Sequence, residues 1–362
     1  MSPGVWHHAC CCTGSGLWGA YVFAAQNGDY KPVMLTVADG AITTELITPD
    51  GYAAGNNAVY PASYDSSLAE IAFVYEAAGR ALKLGVQSAW GGWGYEDIKV
   101  GGVAVTETGN LGRYEYLEHD GDDAMRLYLE TSENHLTRTG VGAWTSTAGA
   151  TGVAWTIQAG TETSWTAYSH SLGDGTWDVC MREVGGAVEV IANYPADGYY
   201  IVEDMCSLSD GRLVASGVLA DVGGSLYGVR LFERSVGGAF TTHDLILPGV
   251  EDAVMIGHMH VDDEDTIHVV MRAWTDPNST YIYAAVDGSD FSHACDSILT
   301  EAGARTTAVL TDTARVPQVV LGPTANGGQL KFCFGGSSWT TEDTAYAGGF
   351  KWDYLKVAWD AP

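Results

Sequence analysis

The sequence predicts an all-β chain, a single β-propeller of seven four-stranded blades, and three observations carry the prediction. The first is alternation. From Met255 to Leu299 come an apolar run (Met255 to Val261), an acidic turn (Asp262-Asp263-Glu264-Asp265), the alternating segments Thr266 to Met271 and Tyr281 to Val286, an Asp287-Gly288 turn, and a fourth run ending at Ile298-Leu299. Period-2 patterning bounded by Gly, Pro, Asn and Asp is how half-buried strands joined by hairpins read. The second is repetition. The same run, turn and restart recur at Ile71, Leu213 and Val319, and with Ile267 these positions step by 142, 54 and 52 residues. One period of roughly fifty fits all four, the size of a blade that cannot bury both faces alone. The third is composition: 46 glycines and 46% hydrophobic residues suit many short strands and tight turns, while helical periodicity is almost absent. At that period, 362 residues give seven blades.

Taken in order, residues 1–16 read as an N-terminal anchoring extension that exits through Thr13-Gly-Ser-Gly16, and residues 17–362 as the propeller. Val5, Trp6, His7, His8, Cys10, Cys11 and Cys12 are the expected anchor. Adjacent cysteines are poorly placed to pair with one another, so docking, inter-subunit disulfides and a metal shared between copies all stay open. Leu17 to Ile47 supply three strands, Tyr21 to Ala25, Pro32 to Val37 and Ile42 to Ile47, one short of a blade. The lone run Tyr354 to Trp359 is expected to supply the fourth as the innermost strand, closing the ring and satisfying two open edges. Between them fall the Ile71 blade, a less regular one around Met125 to Leu129 and Trp144, one containing Trp165 to Ser169 and Val179, and the Leu213, Ile267 and Val319 blades.

Net charge is −28, from 45 acidic and 17 basic residues, and depletion of base rather than excess of acid produces it. That field opposes nucleic acid and anionic membrane. No apolar run approaches the ~18 residues of a membrane-spanning helix, so no membrane insertion is expected. The first residues lack the basic and apolar regions of a Sec signal peptide. Cys180, Cys206, Cys295 and Cys333 fall in or beside strands and read as free, buried thiols.

The chemistry-bearing residues are few. His258 and His260 flank Met259 and are weak metal candidates with Asp262, Asp263 and Asp265. The oxygen-rich turns Asp262 to Asp265 and Asp120 to Asp123 are of the ligand type calcium takes, but lack EF-hand spacing. An acidic hairpin turn is the plain reading, so no cofactor is expected. Glycosidase chemistry needs a carboxylate pair that sequence alone does not pick out, and no catalytic residue is assigned. Trp90, Trp93, Tyr95, Tyr199, Tyr200 and Trp274 lie in or beside predicted loops and are the expected ligand-binding rings, since a flat apolar face stacks while polar neighbours orient.

The cadence of Ala81 to Asp97 and Gln329 to Glu342, a strand followed by Gly-Gly and Trp, resembles the BNR/sialidase-like propellers. Ser171-Leu-Gly-Asp174-Gly175-Thr-Trp177 approximates that family's Asp box with altered spacing, and Arg315-Val316-Pro317 echoes its Arg-Ile-Pro signature in the wrong blade. The resemblance therefore implies the fold and transfers no catalytic residue. Two functions follow. The first is a non-enzymatic structural and host-recognition propeller of a virion, of the phage tail or fibre type, located on an extracellular particle. It would join other virion subunits through its N-terminus, as a homo-oligomer, and bind a surface glycan or protein through blade loops. The alternative is a carbohydrate-active enzyme or lectin of the sialidase-like class.

Overall fold

A computed structural model describes residues 20–25, 32–38, 41–47, 50–51, 59–65, 70–88, 92–106, 117–119, 124–129, 134–139, 143–148, 158–160, 165–172, 174–183, 186–194, 198–221, 226–245, 254–275, 278–302, 305–311, 315–323, 331–335, 338–343 and 356–359. The anchor residues Val5 to Cys12, together with Trp90 and the Asp120 to Asp123 turn, lie outside them.

Among the described residues the strands gather in fours. The first three are β1 (Ala20–Ala25), β2 (Pro32–Ala38) and β3 (Ala41–Leu46). Next come β4 (Val59–Asp65), β5 (Glu70–Glu76), β6 (Leu82–Ser88) and β7 (Trp93–Asp97), and the two-stranded ribbon β8 (Lys99–Val100) and β9 (Val103–Ala104). A third group is β10 (Leu117–His119), β11 (Ala124–Leu129), β12 (Asn134–Thr139) and β13 (Thr145–Ala148). The fourth is β14 (Gln158–Gly160), β15 (Trp165–Ser171), β16 (Trp177–Glu183) and β17 (Val188–Tyr194). Then follow β18 (Gly198–Ser207), β19 (Leu213–Asp221), β20 (Leu226–Arg234) and β21 (Phe240–Leu245). The sixth group is β22 (Val254–Val261), β23 (Thr266–Thr275), β24 (Asn278–Asp287) and β25 (His293–Ala302). The chain ends with β26 (Arg305–Thr311), β27 (Pro317–Pro323), β28 (Lys331–Phe334), β29 (Thr340–Asp343) and the single strand β30 (Lys356–Trp359).

Six of these groups are four-stranded sheets bonded in chain order; the seventh sheet has the order β3-β2-β1-β30. The C-terminal strand therefore pairs antiparallel with β1, Tyr21 opposite Ala358 and Val22 opposite Val357. Ile71, Leu213, Ile267 and Val319 all fall on the second strand of their sheets, so the repeat seen in the sequence is a repeat of one structural position.

The chain forms two compact units. In the unit built mainly from Trp6–Gly149, β4 lies beside both β30 and β10. Ala72, Val74, Leu82 and Leu84 of one sheet there bury against Met125, Leu127 and Leu136 of the next. In the unit built mainly from Ala150–Val319, β14, β18, β22 and β26 neighbour one another in sequence. First strand against first strand, with sheet faces stacked between, is how the blades of a propeller pack, and the fold is an all-β propeller. Full burial of side chains such as Phe232, Leu231 and Val269 contributes about 2 kcal/mol each.

Adjacent first strands share no backbone ladder, so their buried N–H groups need other acceptors. Side chains supply them at the bulges. Ser169 Oγ accepts from Val202 N at 3.3 Å. Asp204, 1% exposed, accepts from Met205 N at 2.8 Å and from Met259 N on the next first strand at 2.7 Å. The register shifts at Val202/Asp204 and at Ile256/Met259 are where those N–H groups leave the ladder. Cys180, Cys206 and Cys333 are buried thiols, and Cys295 is a half-buried one.

Candidate functional site

Among the described residues, the side chains that the sequence singled out come together on two sheet faces, one in each unit. The first lies on the β22–β25 sheet. One face of that sheet, carrying Met259, Ile267, Val269, Met271 and Ile282, is apolar core. Period 2 puts His260, His268, Arg272, Tyr281 and Tyr283 on the other face. The β22–β23 turn is closed by Asp262, whose Oδ1 accepts from Glu264 N at 3.0 Å and Thr266 N at 2.9 Å. Its Oδ2 meets His268 Nε2 at 3.2 Å, and His268 Nδ1 meets the Tyr283 hydroxyl at 2.6 Å. Burial by itself would raise the Asp262 carboxyl, but the His268 and backbone hydrogen bonds and the His268 charge outweigh it and hold the group at about 2. An ionised carboxylate only accepts, so Nε2 carries a proton and donates; Nδ1 accepts the Tyr283 O–H when the ring is neutral and donates to the Tyr283 oxygen when the ring is charged. Burial, then the nearby Asp262 and Asp296 charges, push the Tyr283 phenol upward, which keeps it a donor. His260 stands beside the chain, its ring 5.8 Å from that of His268 and its Nε2 2.8 Å from Thr311 Oγ1, and Trp339 meets Tyr283 edge to face at 5.3 Å.

This arrangement can order a proton along Tyr283, His268 and Asp262. All three are less than a tenth exposed, at 7%, 3% and 6%, so what it does in the closed blade is fix a turn. The turn is then stitched to its neighbours: Asp265, at φ 63°, accepts from Ser209 N at 2.7 Å and Ser209 Oγ at 2.5 Å, and Arg315 Nε bonds Asp263 at 2.7 Å. The suggested metal ligands are thereby sent in different directions: His260 to Thr311, Asp262 to His268, Asp263 to Arg315 and Asp265 to Ser209. His258 is described only as backbone. Among the described residues no three His, Cys, Asp or Glu side chains gather as a metal site.

The second place is the β5–β7 face opposite the apolar cluster. Phe73 and Tyr75 are wholly buried there. Trp93 and Tyr95, half-buried, stand at i and i+2 on the outermost strand β7. Trp93 meets Phe73 edge to face at 5.0 Å, and Tyr95 meets Tyr75 likewise at 5.7 Å. The Phe73 ring occupies the space over Gly85, where an added Cβ would come within 2.7 Å of it, so only glycine fits that position. At the far end Tyr75 donates to Asp50 O at 2.9 Å. Lys83 lies 3.4 Å from Asp50 and 3.5 Å from Asp97, and Lys99 lies 2.8 Å from Asp97. The Lys99 hydrogen bond is the main cause that holds the Asp97 carboxyl below its usual range.

Of the rings singled out in the sequence, Trp93 and Tyr95 are thus brought together, on a strand rather than in a loop. Tyr199 and Tyr200 belong to β18 and Trp274 to β23, described as backbone only. Tyr283 and Trp339 were not singled out; the signal for Tyr283 was its alternation phase, which places it on the His268 side of the sheet.

No protein-family model matches the chain, and no curated protein matches it. Solved structures do. An ulvan lyase, described as a new family of polysaccharide lyase and bound to a GlcA–Rha3S repeat, is similar over 98% of this chain and 96% of its own, at TM-score 0.55 and 10% identity. A catalytically inactive virginiamycin B lyase from Staphylococcus aureus, bound to quinupristin, is similar over 79% and 83%, at 0.50 and 10%. The SapL1 lectin with α-methyl fucoside is similar over 79% of this chain and 95% of its own, at TM-score 0.46 and 13% identity. At these identities the likeness shows the shared propeller fold.

Proposed function

We propose that this protein is a carbohydrate-binding β-propeller, lectin-like in action, that takes an uncharged glycan. The observation that carries the reading is the end-to-end extent of the likeness to a polysaccharide lyase, 98% of one chain on 96% of the other, which matches a whole architecture rather than a shared pair of blades. Of the two functions read from the sequence, this supports the carbohydrate-acting one over the virion component. Two physical arguments favour binding over cleavage. The proton-ordering chain at Tyr283 is more than nine-tenths buried and committed to its turn. A net charge of −28 repels the uronate chains on which eliminating lyases act.

The test is affinity electrophoresis of the full chain through gels containing neutral polysaccharides (mannan, galactan, xyloglucan, laminarin), with pectate as the anionic comparison. Retardation in at least one neutral gel is expected. Passage through every gel unretarded would overturn the reading, and near-ultraviolet absorbance from a new C4–C5 double bond on incubation with a uronan would replace binding with elimination.

A further inference from the structure

The half-open aromatic strip on β5–β7 deepens the glycan-binding reading, on which this inference rests. We propose that Trp93 and Tyr95 are the stacking platform of the glycan site, with the pyranose rings of a neutral chain laid along β7. Same-face residues of a strand stand about 7 Å apart, so two rings at i and i+2 offer two flat apolar surfaces in line.

Three features suit them to this. The rings are pre-positioned: each is held by contact with a wholly buried aromatic, Phe73 under Trp93 and Tyr75 under Tyr95, so little rotamer freedom remains to be lost on binding. They are reachable: both are half-buried on the outermost strand, and the glycines flanking Trp93, Gly92 and Gly94, are exposed, with nothing within 4 Å of a Cβ built on Gly92. No side chain at either flanking position walls off the ring. The polar frame is matched: Lys83 sits between Asp50 and Asp97, and Lys99 pairs with Asp97. These groups present donors and acceptors to hydroxyls without an unpaired charge that would call for an ionic ligand. An aromatic face beside paired polar groups, within a chain of net charge −28, fits an uncharged saccharide rather than a sulfated or uronate one.

The test uses the full chain and whichever neutral polysaccharide of the panel above retards it. Trp93→Leu and Tyr95→Leu keep apolar volume against Phe73 and Tyr75 but remove the flat face. Each is expected to weaken retardation about tenfold or more while melting like wild type. A Trp93→Phe variant keeps an aromatic ring at the position, so it serves if either leucine variant fails to fold. Its tryptophan emission should lose the ligand-induced change that wild type shows. Wild-type binding together with undiminished binding by folded leucine variants, or an undiminished emission change in Trp93→Phe, would sink the platform and leave the glycan reading standing. Failure of wild type to bind any neutral gel sinks that reading itself. Retardation by pectate alone would overturn the uncharged ligand.

Discussion

Removing the Asp262 carboxylate would leave two turn N–H groups and the His268 imidazole without their charged acceptor at a site where water does not easily substitute. Its folded-state value of about 2 lies below the ~3.9 of an unfolded aspartate. A depressed folded value means that the stabilisation is complete above about pH 4 and is lost as pH falls through about 2, below which both states are protonated; it is worth about 2–3 kcal/mol. Asp262→Asn should therefore be less stable than wild type by about that amount at neutral pH, with the two converging as acid is added, in urea titrations across pH. Curves that stay parallel would show that the charge is not what holds the turn. At this scale the sequence was half legible. The acidic turn and the apolar alternation around it were plain. That Asp262 spends itself on backbone and His268, and not on a cation, depended on the Tyr283 phase and on a positive φ at Asp265, which a string of acids does not reveal. The ring residues Trp93 and Tyr95 were visible as aromatics beside glycines; their supports were not, because Phe73 and Tyr75 lie two strands away, across β6, and some twenty residues distant.

Strands lend themselves to a different kind of test, because each edge must be satisfied by a neighbour. β30 completes its sheet by pairing with β1, so deleting residues 350–362 exposes the whole β1 edge and should lower the melting temperature of the protein; a truncated chain that melts like the full one would show the pairing to be dispensable. The first-strand seam offers a second test. Asp204 takes one N–H from its own bulge and another from Met259 on β22, all buried. Asp204→Ala strands both donors and should cost about 3 kcal/mol, measured by denaturant melts, with amide exchange quickening at Met205 and Met259 before the outer strands. Uniform exchange across the sheets would argue that the seam is held by packing alone. The elements themselves were readable because hairpin meanders are local: alternation, turn residues and a period of roughly fifty located the seven four-stranded sheets of the described residues, though not the β8–β9 ribbon, and the unpaired runs at the two ends implied the pairing of β1 with β30. The bulges were not readable, since a register shift at Ile256/Met259 answers to a carboxylate on another sheet.

For the whole molecule, the sequence carried physical arguments about the class of partner and none about the biological setting. Aromatic content and lost base pointed to glycans or proteins and away from nucleic acid, whereas the likeness to solved propellers bears on the fold. Scarce lysine, a His/Cys-rich start and the lack of a catalytic motif turned the sequence reading toward a virion, yet each is a composition, which no packing argument ties to a particle. The charge makes a prediction of its own. With 17 basic residues against 45 acidic ones, 28 negative charges are left uncompensated however the ion pairs are drawn, and their mutual repulsion is relieved when the chain unfolds and expands. The ion pairs that do form pull the other way, but the ones that matter are shielded: Glu233, for example, is only 14% exposed between Arg212 and His243. Salt at about 0.15 M screens charges beyond roughly 8 Å and leaves such contacts largely intact. Repulsion should therefore be the term that salt removes, and the melting temperature should rise between a few millimolar and about 0.2 M NaCl. Sucrose matched in osmolality separates screening from preferential exclusion. A melting temperature that falls with NaCl would mean that attraction within the ion pairs, and not repulsion among the excess negative charges, governs the stability of the fold.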